Sequence, residues 1–181
     1  KAAGDWGQIV FYDSSVDASY DGNGDYASGS ILEYCTVEYG SGIQLNLGNP
    51  FINQSTIRYH SGIGVTMNSH DSQSQSGVSL KITNNAISSN SGGLYLYGYG
   101  EVIVSGNTIS DNIGSGGIPS TSYNVIISGN TIENNKTGRY EDTPSGTEFR
   151  VDGEGGGING SGQILNNVIK GNIARDGGGI A

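Results

Sequence analysis

The run Asp17-Ala18-Ser19-Tyr20-Asp21-Gly22-Asn23-Gly24-Asp25-Tyr26 is the most chemically suggestive in the chain. Oxygen ligands at alternate positions, Asp21, Asn23 and Asp25, separated by glycines, suit a hard cation such as Ca²⁺. A full calcium loop of the EF-hand type wants Gly at its sixth position and an acid at its twelfth. Those places hold Tyr26 and Leu32, and Glu33 comes one residue late. Asp17 or Glu33 would have to close the shell. The same residues also favour a solvated Asp-Gly or Asn-Gly turn for backbone reasons alone. The predicted metal ligands are Asp17, Asp21, Asn23 and Asp25, with Ca²⁺ as the ion.

The 11 tyrosines offer a second chemistry, because outward aromatic rings on a rigid surface can stack on sugars. Tyr95, Tyr97 and Tyr99 alternate after Gly93-Leu94 and should share one face of a strand. Tyr39 and Tyr59 occupy equivalent places beside Glu38 and Arg58. These five residues are the predicted ligand contacts. Tyrosine is also a good strand residue that stacks on its own equivalent, which is the competing account.

The elements that must position these side chains come from an internal repeat. The segments Ile82-Thr-Asn-Asn-Ala-Ile87, Val104-Ser-Gly-Asn-Thr-Ile109, Ile127-Ser-Gly-Asn-Thr-Ile132 and Ile164-Leu-Asn-Asn-Val-Ile169 vary one phrase. Leu32–Val37 and Ile52–Ile57 are degenerate earlier copies. Val37, Ile57, Ile87, Ile109, Ile132 and Ile169 form an aliphatic column. Two residues earlier stand Cys35, Ser55, Asn85, Asn107, Asn130 and Asn167. Three residues later stand Gly40, His60, Asn90, Asn112, Asn135 and Asn172. Successive phrases lie 20, 30, 22, 23 and 37 residues apart. Short-range alternation of aliphatic and polar residues is a strand signal, and a spacing near 22 is one turn of a solenoid.

A right-handed parallel β-helix accounts for all three columns. Aliphatics stack inward, Asn amides form ladders from coil to coil, and Gly supplies positive φ at sharp corners. The predicted fold is all-β, one domain of about six to seven coils, each adding about 4.8 Å along the axis. Residues 1–30 read as an atypical half-coil and polar loop, 31–181 as repeat coils, and 136–156 as an inserted loop. Because the last coil breaks off at Gly177-Gly-Gly-Ile180-Ala181, the sequence suggests a piece of a longer β-helix or a contact with another chain.

The Asn-x-Ile phrases and Gly-Gly-Ile corners resemble the parallel β-helix repeat proteins of the pectate-lyase-like superfamily. That resemblance covers about residues 30–181 and rests on scaffold positions. It implies loops that build a polysaccharide cleft, whose carboxylates hold Ca²⁺ or act as acid and base. Glu141, Asp142, Glu148, Asp152 and Glu154 are the acidic candidates, beside Arg139 and Arg150. A lyase needs a base and a group to neutralise a uronate, and Arg58, His60, Lys81, Lys170 and Arg175 are the candidates. Arg58 equally suits an ion pair with Glu38 one coil away, and His60 a corner hydrogen bond. The superfamily's Arg-Ile-Lys and Gly-His-Gly phrases, and Asn-x-Asp together with Asp-Asp, are missing. No catalytic residue is assigned.

Composition narrows the partners. The 181 residues include 32 Gly and only 3 Pro, carry 17 acidic against 8 basic side chains, and have a net charge of −9. That balance disfavours nucleic acid and anionic membranes, and no apolar run is long enough to cross a bilayer. The N-terminal residues carry no signal-like apolar stretch. The lone Cys35 excludes an internal disulfide. The expectation is an extracellular or cell-surface structural or binding module, facing a polysaccharide or neighbouring subunits. A Ca²⁺-dependent polysaccharide lyase is the alternative. An ice-binding surface ranks lower, on the interrupted file Thr36, Thr56, Ala86, Thr108, Thr131 and Val168.

Overall fold

A computed structural model describes residues 1–68, 79–98, 100–121 and 124–181. Among them every regular element is a strand. The strands stack into three parallel sheets that each coil visits in turn. The first sheet holds Ile9–Tyr12, Ile43–Asn46, Ile63–Asn68, Gly92–Tyr97 and Ser120–Thr121. The second holds Ile31–Glu33, Phe51–Asn53, Ser79–Thr83, Glu101–Ser105, Val125–Ser128 and Gln163–Leu165. Thr36–Glu38, Thr56–Arg58, Ala86–Ser88, Thr108–Ser110, Thr131–Glu133 and Val168–Lys170 make the third.

Register follows the columns. In the third sheet Val37 pairs with Ile57, Ile57 with Ile87, Ile87 with Ile109, Ile109 with Ile132 and Ile132 with Ile169. Alternation sends these inward, where they meet Ile52, Ile82, Val104 and Ile127 from the second sheet and Leu45, Met67 and Leu96 from the first. Ile57, Ile87, Ile109 and Ile132 are all 0 % exposed. Removing one such side chain from water contributes about 1.5–3 kcal/mol.

Two carboxamide ladders brace the corners on either side of the third sheet. In one, the backbone N–H of Asn85 donates to Asn107 Oδ1 at 2.9 Å, that of Asn107 to Asn130, and that of Asn130 to Asn167. The other runs through Asn90, Asn112, Asn135 and Asn172 in the same way. The residue just before each rung is left-handed. Glycine fills that place at Gly106, Gly129 and Gly171, as the sequence suggested, but elsewhere the corner is made by Tyr34, Tyr39, Gln54, Tyr59, Asn84, Ser89, Asp111, Asn134 and Asn166. The ladder imposes the bend at those corners, so a non-glycine residue holds a conformation it adopts only at a cost.

Two segments read as loops carry structure of their own. Residues 13–30 contain a short antiparallel hairpin, Ser19–Tyr20 against Tyr26–Ser28. Within 136–156, Lys136–Thr143 turns at Pro144-Ser145 into Gly146–Val151, with Tyr140 facing Phe149 and Arg139 facing Arg150. Alternating Thr, Tyr, Phe and Val around a Pro-led turn explain why this segment is a hairpin. Its first two residues still pair with Ile113–Gly114 of the neighbouring coil.

Candidate functional site

The predicted tyrosine contacts fall into two separate pairs. Tyr39 and Tyr59 stack at a corner with ring centroids 5.4 Å apart, and Lys1 Nζ and Arg58 lie over the respective rings. Both tyrosines are left-handed, with φ of 64° and 59°. Tyr95 and Tyr97 project from the outer side of the first sheet, 6.4 Å apart. Tyr99 lies outside the described residues.

The Asp-Gly-Asn-Gly-Asp run forms the tip of the N-terminal hairpin. Asp21 Oδ1 accepts the backbone N–H groups of Asn23 and Asp25, each at 2.9 Å. Those donors, Asp25 first, hold the Asp21 carboxyl below its usual range. Asp17 points elsewhere and accepts the Asn49 N–H at 2.7 Å. Among the described residues no three His, Cys, Asp or Glu side chains gather closely enough to hold a metal.

The basic and acidic candidates are mostly occupied. Arg58 Nε donates to Glu38 Oε1 at 2.7 Å, the coil-to-coil pair suggested by their column. Lys170 pairs with Glu133 and Arg175 with Asp176. His60 is a ladder rung whose Nδ1 accepts the Gly40 N–H at 3.0 Å. On the long hairpin Arg139 binds both Glu141 and Asp152, and Arg150 reaches Glu141. Hydrogen bonds from Arg139 and then Arg150 keep the Glu141 carboxyl below its ordinary range.

Lys81 is different, because it stands in a groove. The N-terminal hairpin folds over the outer side of the second sheet. Ser30 N–H bonds to Val16 O, Ala18 N–H to Asn49 O, and the Tyr26 ring stacks on Phe51 at 5.8 Å. Between hairpin and sheet lies a groove of about 470 Å³, bordered by Asp25, Tyr26, Glu33, Phe51, Lys81 and Ile103. Alternation along the strands explains the lining: Phe51, Lys81 and Ile103 face out because Ile52, Ile82 and Val104 face in. Lys81 Nζ donates to Gly24 O at 2.6 Å and sits 3.8 Å above the centre of the Tyr20 ring. Burial pushes the Tyr20 hydroxyl up to about 12.

The groove floor is a fixed polar network. Asn53, only 6 % exposed, donates Nδ2 to Glu33 Oε1 at 2.6 Å. Its Oδ1 accepts from Thr83 Oγ1 at 2.7 Å and from Asn84 Nδ2 at 3.1 Å. The carboxylate decides the amide's orientation, because Glu33 can only accept. Of this group the sequence reading singled out Lys81, as a candidate base, and Glu33, as a possible ion ligand. Tyr20 and Tyr26 figured only as members of the Asp17–Tyr26 run, and Phe51, Asn53 and Thr83 were given no role in a site. Aligning the outward columns as well as the inward ones would have placed Glu33 beside Asn53, which the second sheet pairs directly.

Parallel sheets wound about one core, with a groove on the outside of one of them, define a β-helix solenoid. The family model described as right-handed β-helix region matches residues 23–181, and the chain belongs to that family. No curated protein and no solved structure matches the chain.

Proposed function

We propose that this chain is a carbohydrate-binding β-helix module, with the groove on the second sheet as its binding surface. The observation that carries this reading is the groove's construction: an aromatic wall of Tyr26 and Phe51 beside a preordered polar floor of Glu33, Asn53 and Thr83. A volume near 470 Å³ falls within the roughly 300–1,000 Å³ of small-molecule sites. Sugars ask for this combination, because one face of the ring is apolar while its edge is lined with hydroxyls. A polysaccharide partner places the module outside the cell or at its surface.

The lyase alternative loses ground with four of its five basic candidates held in ion pairs or in a ladder. The test is retention on insoluble polysaccharides, with the unbound fraction assayed for unsaturated ends. Retention of intact polymer is the expected result, and release of unsaturated product replaces binding with catalysis. Light scattering across protein concentration separates both from self-assembly, which predicts growing particles without any glycan.

A further inference from the structure

The charged groups of the groove are unequal, two carboxylates against one ammonium, and the inequality selects the ligand. Thr83 has already given its hydroxyl proton to Asn53, so it offers a ligand only lone pairs. Glu33 Oε1 is taken by Asn53, while among the described residues Oε2 has no partner and stays an acceptor. Asp25, on the opposite rim, adds a second carboxylate. The cationic donor is Lys81, with one proton on Gly24 O and its charge over the Tyr20 ring. A ligand carboxylate entering here meets two like charges against one cation that already has partners. A ligand ammonium pairs with the two carboxylates but has no lone pair to accept from Lys81. Hydroxyl groups, which donate to carboxylates and accept from an ammonium, satisfy every group present.

Resting on the carbohydrate-binding reading above, we infer that the groove takes a neutral sugar residue in preference to an amino sugar, and not a uronate. Its hydroxyls donate to Glu33 Oε2, Thr83 Oγ1 and Asp25, one oxygen accepts from Lys81, and its apolar face lies along Tyr26 and Phe51. Neither the predicted tyrosine contacts nor the predicted calcium ligands other than Asp25 take part.

Calorimetric titration of the full chain tests this. The probes are neutral gluco-, manno- and xylo-oligosaccharides, an oligogalacturonate with and without Ca²⁺, and a chitosan oligomer. The variants are Glu33→Gln, Lys81→Met and Tyr95→Ala, each first checked for an unchanged melting curve. The expected result is binding of at least one neutral oligosaccharide, weakened tenfold or more by Glu33→Gln and by Lys81→Met and unchanged by Tyr95→Ala. If Glu33→Gln unfolds the chain, Lys81→Met carries the test alone, because that side chain reaches a rim carbonyl and not the buried Asn53 network. Oligogalacturonate or chitosan bound more tightly than the neutral sugars overturns the neutral-sugar assignment and leaves the module a carbohydrate binder. Neutral-sugar binding that survives both groove variants and is lost in Tyr95→Ala overturns the groove as the binding surface and leaves only carbohydrate binding standing. Failure of every probe to bind overturns the reading, and this inference with it.

Discussion

The middle rungs of the ladders and their first rungs do the same job with different chemistry. At Asn107, Oδ1 accepts both the N–H and the Nδ2 of Asn85, while Nδ2 donates to Ile82 O, Ser105 O and Asn130 Oδ1. At the head of that ladder, Ser55 Oγ accepts the Cys35 N–H and donates to Asn53 O. At the head of the other, His60 Nδ1 accepts from Gly40, and among the described residues the buried Nε2 has no hydrogen-bond partner. A carboxamide can donate and accept at once, so it binds the coil before it and the coil after it. The Ser55 hydroxyl spends its single proton on Asn53 O within its own coil, and the His60 ring accepts only from the coil before it. The difference teaches that the ladder's strength comes from this two-sidedness, and that its head is the weaker region.

Substitutions can break or sharpen that contrast. Asn107→Ala should cost the most, about 3 kcal/mol, because it orphans several buried backbone and amide groups at once. Denaturant unfolding would check it, and a loss below about 1 kcal/mol would show that middle rungs carry no more than the head. Ser55→Ala should cost less, about 1–2 kcal/mol, for the two hydrogen bonds its buried hydroxyl makes.

His60 makes the head sensitive to acid. Burial lowers its pKa from the ordinary 6.5, partly opposed by the backbone of Gly40 and Val37 and least by the charge of Glu38, and the ring must leave Nδ1 unprotonated to accept from Gly40. The stability it contributes is therefore complete above pH 6.5 and falls as the pH drops from there towards the lowered folded value. His60→Asn, which puts a carboxamide in line with Asn90, should change little at neutral pH and flatten the melting temperature between pH 6.5 and 5. A variant as acid-sensitive as the parent would locate the sensitivity elsewhere. Smallest of all is Glu38→Gln. The Glu38–Arg58 pair lies on the surface, where such pairs contribute little, and the melting curve in 0.15 M salt should match the parent's within scatter.

Much of the fold was legible because inward positions repeat. Ile57, Ile87, Ile109 and Ile132 stack at equivalent places of successive coils and meet the same kinds of neighbour each time, so their identity follows from the repeat. The same holds for Asn85 to Asn167, each of which is fixed by its neighbour's hydrogen-bonding needs. The Glu38–Arg58 pair was visible for the same reason, as two residues in one column one coil apart. The groove was not, since Lys81 and Gly24 are 57 residues apart and meet only because the hairpin docks sideways on the sheet. No repeat announces that docking. Asp21 supports two readings in the sequence, an ion ligand and a turn, and in the structure its Oδ1 accepts from its own turn.

The two-sided rung also bears on how such a chain can change length over generations. A coil whose Asn meets Asn on both sides has the same neighbours as its own copy would have. Tandem duplication of a 22- or 23-residue unit, the spacing from Asn85 to Asn107 or from Asn107 to Asn130, would insert a coil that finds every partner already in place. A copy of the coil bearing Ser55 and His60, set into the middle, would leave rungs unanswered. Growth by slippage in the gene is thus open to the interior coils and closed to the head, which makes the first coils a fixed point from which the rod's length can drift.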